Sequence, residues 1–368
     1  MSEGDLVSLI SEGKRKILTI EDVFNEVIDV NYLKRIDKIF DKGLHFYLDQ
    51  QPLKESNESS IFFRKKVFAH DLNFATRKIV NHFEEVNQSI TAIAILSDVT
   101  IERILPTYDL SSSPREVAKD LRGKLYPQVF TSDLKEFLRS LIDSFAKYNI
   151  LVFEFVETWN KKERVNIDGF FLKPNAIVLK RQQSSFRREI FTLVHELAHY
   201  LLGEEEIEEI AIESLTNTGL SDIEKWCNDF AYYFLVGTHD AAMSAIRDST
   251  VHNDYHHETI RTISRATHLS RIALFTRLLI QNKISPKDYK LIKDDFEERA
   301  RQKREAERIR RERDKELGIQ VRGSTPIAMN SPLLVSTLQT AYYEGVIDER
   351  QVCLQLNIPP KKLGLYIQ

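Results

Sequence analysis

The sequence predicts a mostly helical α+β protein with one small three-stranded sheet. Three observations carry that expectation. Apolar residues recur at helical spacing through most of the 368-residue chain. One island of β-branched and aromatic segments interrupts that rhythm between residues 150 and 181. Directly behind the island comes FTLVHELAHYLLG (191–203), an apolar, helix-forming run that contains His195-Glu196-Leu197-Ala198-His199.

Taken in order, residues 5–50 read as short helices, with Thr19 and Asp29 as N-caps and a helical period through LKRIDKIFDKGLHFYL. The polar stretch QQPLKESNESS (50–60), with Pro52, reads as a linker. A second helical block covers 61–148. It holds LNFATRKIVNHFEEVNQ, a Pro-bounded loop at 105–114, REVAKDLRGKLY and DLKEFLRSLIDSFAKYN. Strands follow at ILVFEFVE (150–157), Ile167–Leu172 and AIVLKR (176–181), the last two joined by a turn at Lys173-Pro174-Asn175. Because it leads into the apolar helix, the segment Ala176, Ile177, Val178, Leu179 and Lys180 could line a cleft and pair with an extended substrate backbone. It could equally well only floor the core.

GEEEIEEIAIE (203–213) reads as a solvated acidic helix face, and IEKWCNDFAYYFLV (223–236) as a second strongly apolar helix. Residues 258–300 are helical. The stretch 294–316 mixes both charge signs with almost no large apolar residue, the pattern of an exposed helix held by pairs three or four apart. The tail 323–368 is one more helical unit, with Pro359-Pro360 as a breaker.

With 42% hydrophobic and 29% charged residues the composition is globular, and a net charge of −3 draws the chain as a whole neither to nucleic acid nor to an anionic membrane. Two cysteines without a C-x-x-C pair argue against a disulfide scaffold or a Cys-rich zinc site and suit a reducing cytoplasm. No apolar stretch approaches 18 residues and the N-terminus lacks an apolar core behind a basic start, so neither a membrane span nor a signal peptide is expected.

Residues four apart on a helix stand one turn above each other. His195 and His199 can therefore aim both imidazoles at one ion about 2 Å away, and Glu196 projects toward the same cleft as a candidate base. The alternative is a pair of merely buried histidines. Yet Leu193, Val194, Leu197, Ala198 and Leu201 already supply a core without them. Catalytic zinc normally takes three protein ligands. The extended metzincin pattern is excluded, because Leu202 and Glu205 occupy its Gly and His positions. A carboxylate from a second helix would complete a His2Glu set. Spacing places Glu224 only modestly ahead of Asp222 and Glu213. On the Glu224 helix, Cys227, Asn228 and Ala231 share its stripe, and Asn228 could hydrogen-bond a ligand from outside. Tyr200, Tyr232, Tyr233, His239, His256 and His257 are all candidates to stabilise an oxyanion.

RREIFTLVHELAHYLL followed by IEKWCNDFAYYFL resembles the ImmA/IrrE family of bacterial zinc endopeptidases, whose members show R-x-x-F-T-L-x-H-E-L-G-H and then E-x-x-A-N-x-F-A-x-x-L-L-M-P. Ala198 replaces the usual Gly, and Val236-Gly237 stands where Met-Pro is common. The resemblance implies a zincin-like core, Zn2+ on His195, His199 and Glu224, and Glu196 as base. It also implies a specific protein substrate, a helix-turn-helix repressor or antitoxin, cut to control stress, mobile-element or defence genes. SIFFRKK (60–66), REVAKDLRGKL and NILVFEFVE resemble the segment before the peptidase in larger members. Residues 11–48 resemble the second half of an XRE-type helix-turn-helix without its DNA-reading helix. Lys14, Arg15 and Lys16 could touch phosphates there, but sequence-specific DNA binding is not expected. The expected division is 1–50, a partial XRE-like segment; 61–148, a helical pre-peptidase region; 149–290, the peptidase core; 291–322, a charged helix; and 323–368, a C-terminal unit. The alternative function is an XRE-like regulator or antitoxin whose peptidase-like domain serves as a sensor.

Overall fold

A computed structural model describes residues 3–11, 18–24, 28–40, 47, 73–129, 131–156, 164–181, 185–206, 220–317 and 328–367. Lys14, Arg15, Lys16, Glu213 and the expected linker at 50–60 lie outside the described residues. The chain divides into two compact units, Met1–Lys66 with Arg77–Asn81, and Val67–Thr76 with His82–Gln368. In the first unit, helices α1 (Glu3–Ser11), α2 (Ile20–Val23) and α3 (Val30–Phe40) close around Leu6, Val7, Ile10, Leu18, Val23 and Ile36. Thr19 opens α2 with a reciprocal cap: its side chain accepts from the Asp22 amide, and the Asp22 carboxylate accepts from the Thr19 amide at 2.9 Å.

The second unit is the mostly helical α+β body. Helix α4 (Phe74–Leu96) is capped by Asn73, α5 (Pro114–Leu125) begins on a proline, and α6 (Leu134–Ala146) is capped by Asp133. The sheet follows as β1 (Leu151–Val156), β2 (Gly169–Leu172) and β3 (Ala176–Arg181), ordered β1-β3-β2. β1 runs parallel to β3, pairing Leu151 with Ala176 through to Val156 with Arg181. β2 returns antiparallel, pairing Leu172 with Ala176 and Gly169 with Leu179. Helices α7 (Phe186–Leu202) and α8 (Asp222–Val236) come next, then α9 (Asp240–Ala245), α10 (His257–Thr267), α11 (Arg271–Ile280), α12 (Pro286–Glu316), α13 (Pro332–Tyr343) and α14 (Glu349–Gln355).

This order corrects one expectation. Ala176, Ile177, Val178, Leu179 and Lys180 form the central strand, with both backbone edges already paired and every residue buried. β3 therefore has no free edge to offer a substrate backbone. One buried cluster also runs across the expected boundary at 149. Leu121 of α5, Leu141 of α6, Ile177 of β3, Leu197 of α7, Phe230 of α8, Leu274 of α11 and Met329 belong to one continuous buried cluster. Residue 149 is thus no packing boundary.

At the end of β3 the Arg181 side chain is completely buried between two carboxylates. Its Nη1 bonds Glu154 of β1, and its Nε donates to Glu189 of α7 at 3.0 Å. Glu154 Oε2 also accepts the backbone amides of Met329 and Asn330, at 2.7 and 2.8 Å. One ionic junction thereby joins sheet, helix and C-terminal segment. In α12, by contrast, only Tyr289 and Ile292 are buried, and exposed pairs such as Arg308 with Glu305 and Glu312 decorate its solvent face. No described helix is long and apolar enough to cross a membrane.

Candidate metal centre

Thirteen of the seventeen residues of α7 are buried. A helix apolar on all sides has to be covered on all sides, and β2, β3, α6 and α8 all pack on it. It ends on Gly203, whose left-handed φ of 66° lets the Gly203 and Glu204 amides fold back onto the carbonyls of Tyr200 and His199. His195, Glu196 and His199 are buried inside this helix, each at most 3% exposed. α8 opens on Ser221, whose hydroxyl accepts from the Glu224 amide at 3.1 Å. That cap fixes Glu224 in the first turn, at the electropositive helix end.

The two helices bring three donor atoms together. His195 Nε2 and His199 Nε2 lie 3.2 Å apart, and the Glu224 oxygens are 3.2 and 3.1 Å from them. A tetrahedral ion with bonds near 2.0–2.1 Å holds its ligand atoms about 3.3 Å apart. The donors present fit a metal in spacing and in chemistry: two imidazoles, one carboxylate, all buried. Neither Nδ1 atom has a hydrogen-bond partner in the protein, so packing orients the rings. His195 leans on Phe191 and meets the edge of His199.

Burial and ring charge oppose each other here. Burial disfavours the Glu224 carboxylate, but the charge and hydrogen bonds of His195 and His199 prevail and hold its carboxyl well below the ordinary range. Burial likewise works against protonation of His199, and Cys227 and Glu224 overcome it, raising that imidazole. Burial pushes Glu196 up to about 7, with the two histidines pulling it down and Glu224 and Asp168 pushing it up. Its Oε2 is buried and has no hydrogen-bond partner, which leaves a carboxylate oxygen free beside the donor cluster.

Other candidates are placed differently. Asp222 is on the exposed side of α8, its carboxylate paired with Lys225. Asn228 lines a cavity, and its Oδ1 is buried without a hydrogen-bond partner. A further side chain against His199 is Cys227, one turn beyond Glu224, its thiol pushed up to about 11 by burial. Among the oxyanion candidates, Tyr232 donates its hydroxyl to Asp240 at 2.9 Å. Tyr233 accepts from Arg277 at 2.7 Å, and Tyr200 lies under Arg103. His256 contacts the Asp248 carbonyl, His257 packs on Phe275, and His239 sits in the turn after α8.

Three features are absent from the sequence-based expectations. Cys227 is one. Gly169 is another: a β-carbon there would stand 2.7 Å from Thr192 Cγ2, 3.0 Å from the Val178 carbonyl and 3.2 Å from Glu196 Cγ. A glycine inside a strand is a signal of such close approach. Gly169→Ala is expected to leave metal affinity unchanged, to cost about 1–3 kcal/mol of stability and, under the function proposed below, to slow turnover on the order of 10–100-fold by displacing Glu196. Thermal melts, metal content and turnover measured on the same preparation check this. The third feature is a cavity of about 180 Å³ between α7, α8 and α11, reached by Thr192 and Asn228.

Residues 146–278 match the family model described as Peptidase_M78, the IrrE N-terminal-like domain. A comparison with curated proteins finds no match.

Proposed function

We propose that this chain, whose residues 146–278 match the IrrE N-terminal-like family model, is a zinc-dependent endopeptidase that cuts one specific protein, a helix-turn-helix repressor or antitoxin, to control stress, mobile-element or defence genes. The observation that carries the proposal is the convergence of His195, His199 and Glu224 from two helices, with the free oxygen of Glu196 beside them. Two imidazoles and one carboxylate are the donor set of catalytic zinc sites that keep a position open. The ion would polarise the scissile carbonyl and acidify water.

The chain's own residues do the rest. His195, His199 and Glu224 hold the centre and neutralise part of its charge. Glu196 takes the proton of the attacking water on its free oxygen and hands it to the departing amine. Its buried setting, which places it near neutrality, suits a group that must both accept and release a proton at physiological pH. The apolar walls of α7 and α8 keep bulk water away from that transfer. The domain division proposed for this activity is a peptidase core that includes α5 and α6, with the first unit as a separate module.

Two experiments test the proposal. Zinc at a thousand times its Kd contributes roughly 4 kcal/mol, so its addition is expected to raise the Tm by several degrees. His199→Ala is expected to abolish that rise. Where a small helix-turn-helix protein is encoded beside this gene, its incubation with the zinc-loaded chain is expected to give discrete fragments by mass spectrometry, and a chelator is expected to stop their formation. Intact partner in the presence of the zinc-loaded chain would count against that substrate.

A further inference from the structure

We propose that the cavity beside the three donors selects the substrate, taking a leucine- to phenylalanine-sized apolar side chain from the residue next to the scissile bond. This deepens the peptidase function proposed above and rests on it. Placement comes first. Thr192 lies one turn before His195 on α7, and Asn228 one turn after Glu224 on α8, so the cavity walls continue the helix faces that carry the donors. A helical turn rises about 5.4 Å and an extended residue spans about 3.3–3.6 Å. The side chain adjoining the cut carbonyl is the one that reaches it.

Size and chemistry agree with such an occupant. The volume is about 180 Å³, and an apolar cavity of roughly 150 Å³ accepts a benzene ring. Phe191, Leu269, Ile272, Ala273 and Ile280 make the wall apolar. The charges at its border already have partners. Arg187 donates to the carbonyls of Ser264 and Leu269, Arg188 bonds Asp168, and Arg277 pairs with Asp229. Two polar atoms remain, the Nε–H of Arg277 and Oδ1 of Asn228, both buried and both without a partner. Arg277 is only 8% exposed. Both atoms are closed off from the open space, so the wall that an occupant meets is the apolar one.

The test uses the full-length, zinc-loaded chain and two peptide hydroxamates that differ only in carrying a hydrogen or an isobutyl group on the residue next to the metal-binding end. Calorimetry is expected to show the isobutyl compound binding on the order of 100-fold more tightly. Ala273→Leu, which puts three further carbons into the cavity, is expected to erase that preference while zinc content and affinity for the hydrogen compound stay unchanged. Ile280→Phe fills the same space from the far end of α11 and carries the same expectation should the first variant not fold. Equal affinities in the parent chain, or a preference that survives both fillings, overturn the subsite. If neither compound binds the zinc-loaded chain, the peptidase function itself falls and takes the subsite with it.

Discussion

Glu196→Gln is expected to retain zinc and to lose cleavage by a factor of about 10²–10⁴. The glutamine amide keeps the shape of the side chain but cannot accept a proton, so hydrolysis loses its base while His195, His199 and Glu224 remain untouched. Stability should move the other way. Burial lifts the Glu196 carboxyl from its usual 4.5 to about 7 in the folded, metal-free protein. A folded state that binds a proton more tightly than the unfolded one loses stability as pH rises from about 4.5 through 7. Wild type without metal carries that loss above pH 7 and the variant does not. The variant is therefore expected to be more stable at pH 8, by about 3 kcal/mol, with the difference vanishing below pH 4.5. Cleavage assays and melts at the two pH values check both halves. Cleavage at the wild-type rate would remove Glu196 from the chemistry.

Arg181→Met is expected to cost about 3–5 kcal/mol, several times the loss from breaking an ion pair on the surface. The methionine fills a similar volume, but Glu154 and Glu189 would then face each other in the interior with their shared cation gone. Urea denaturation should show a lower midpoint with an unchanged slope. Arg308→Ala is the contrasting control. Its partners Glu305 and Glu312 are exposed on α12, and solvent screens such pairs to a small contribution. Equal losses at both positions would mean that the Arg181 junction contributes no more than a surface pair.

The elements were legible because each is a local pattern. The strand expected at 176–181 is β3 to the residue, and the helix expected at 223–236 begins one residue earlier, at Asp222, where Ser221 caps it. The H-E-x-x-H run is helical because nothing from Phe186 to Leu202 breaks the period. The order of the strands was not legible, since pairing depends on a crossover that periodicity does not encode. One clue was there. Ala176 to Leu179 is apolar at four successive positions, as in a strand covered on both faces, which fits the floor of a core. Asn228 shows the other limit. Its spacing puts it on the donor stripe, but what it meets is set by α11, more than forty residues downstream, which forms the opposite wall of the cavity.

The amides of Met329 and Asn330 close on Glu154 from 175 and 176 positions away along the chain. Few contacts bring together such remote parts of a polypeptide, and loop closure over that span comes late in folding. During synthesis the N-terminal side of the sheet would emerge long before its final acceptor bonds can form. A chain ending before residue 329 would leave Glu154 Oε2 without those two donors.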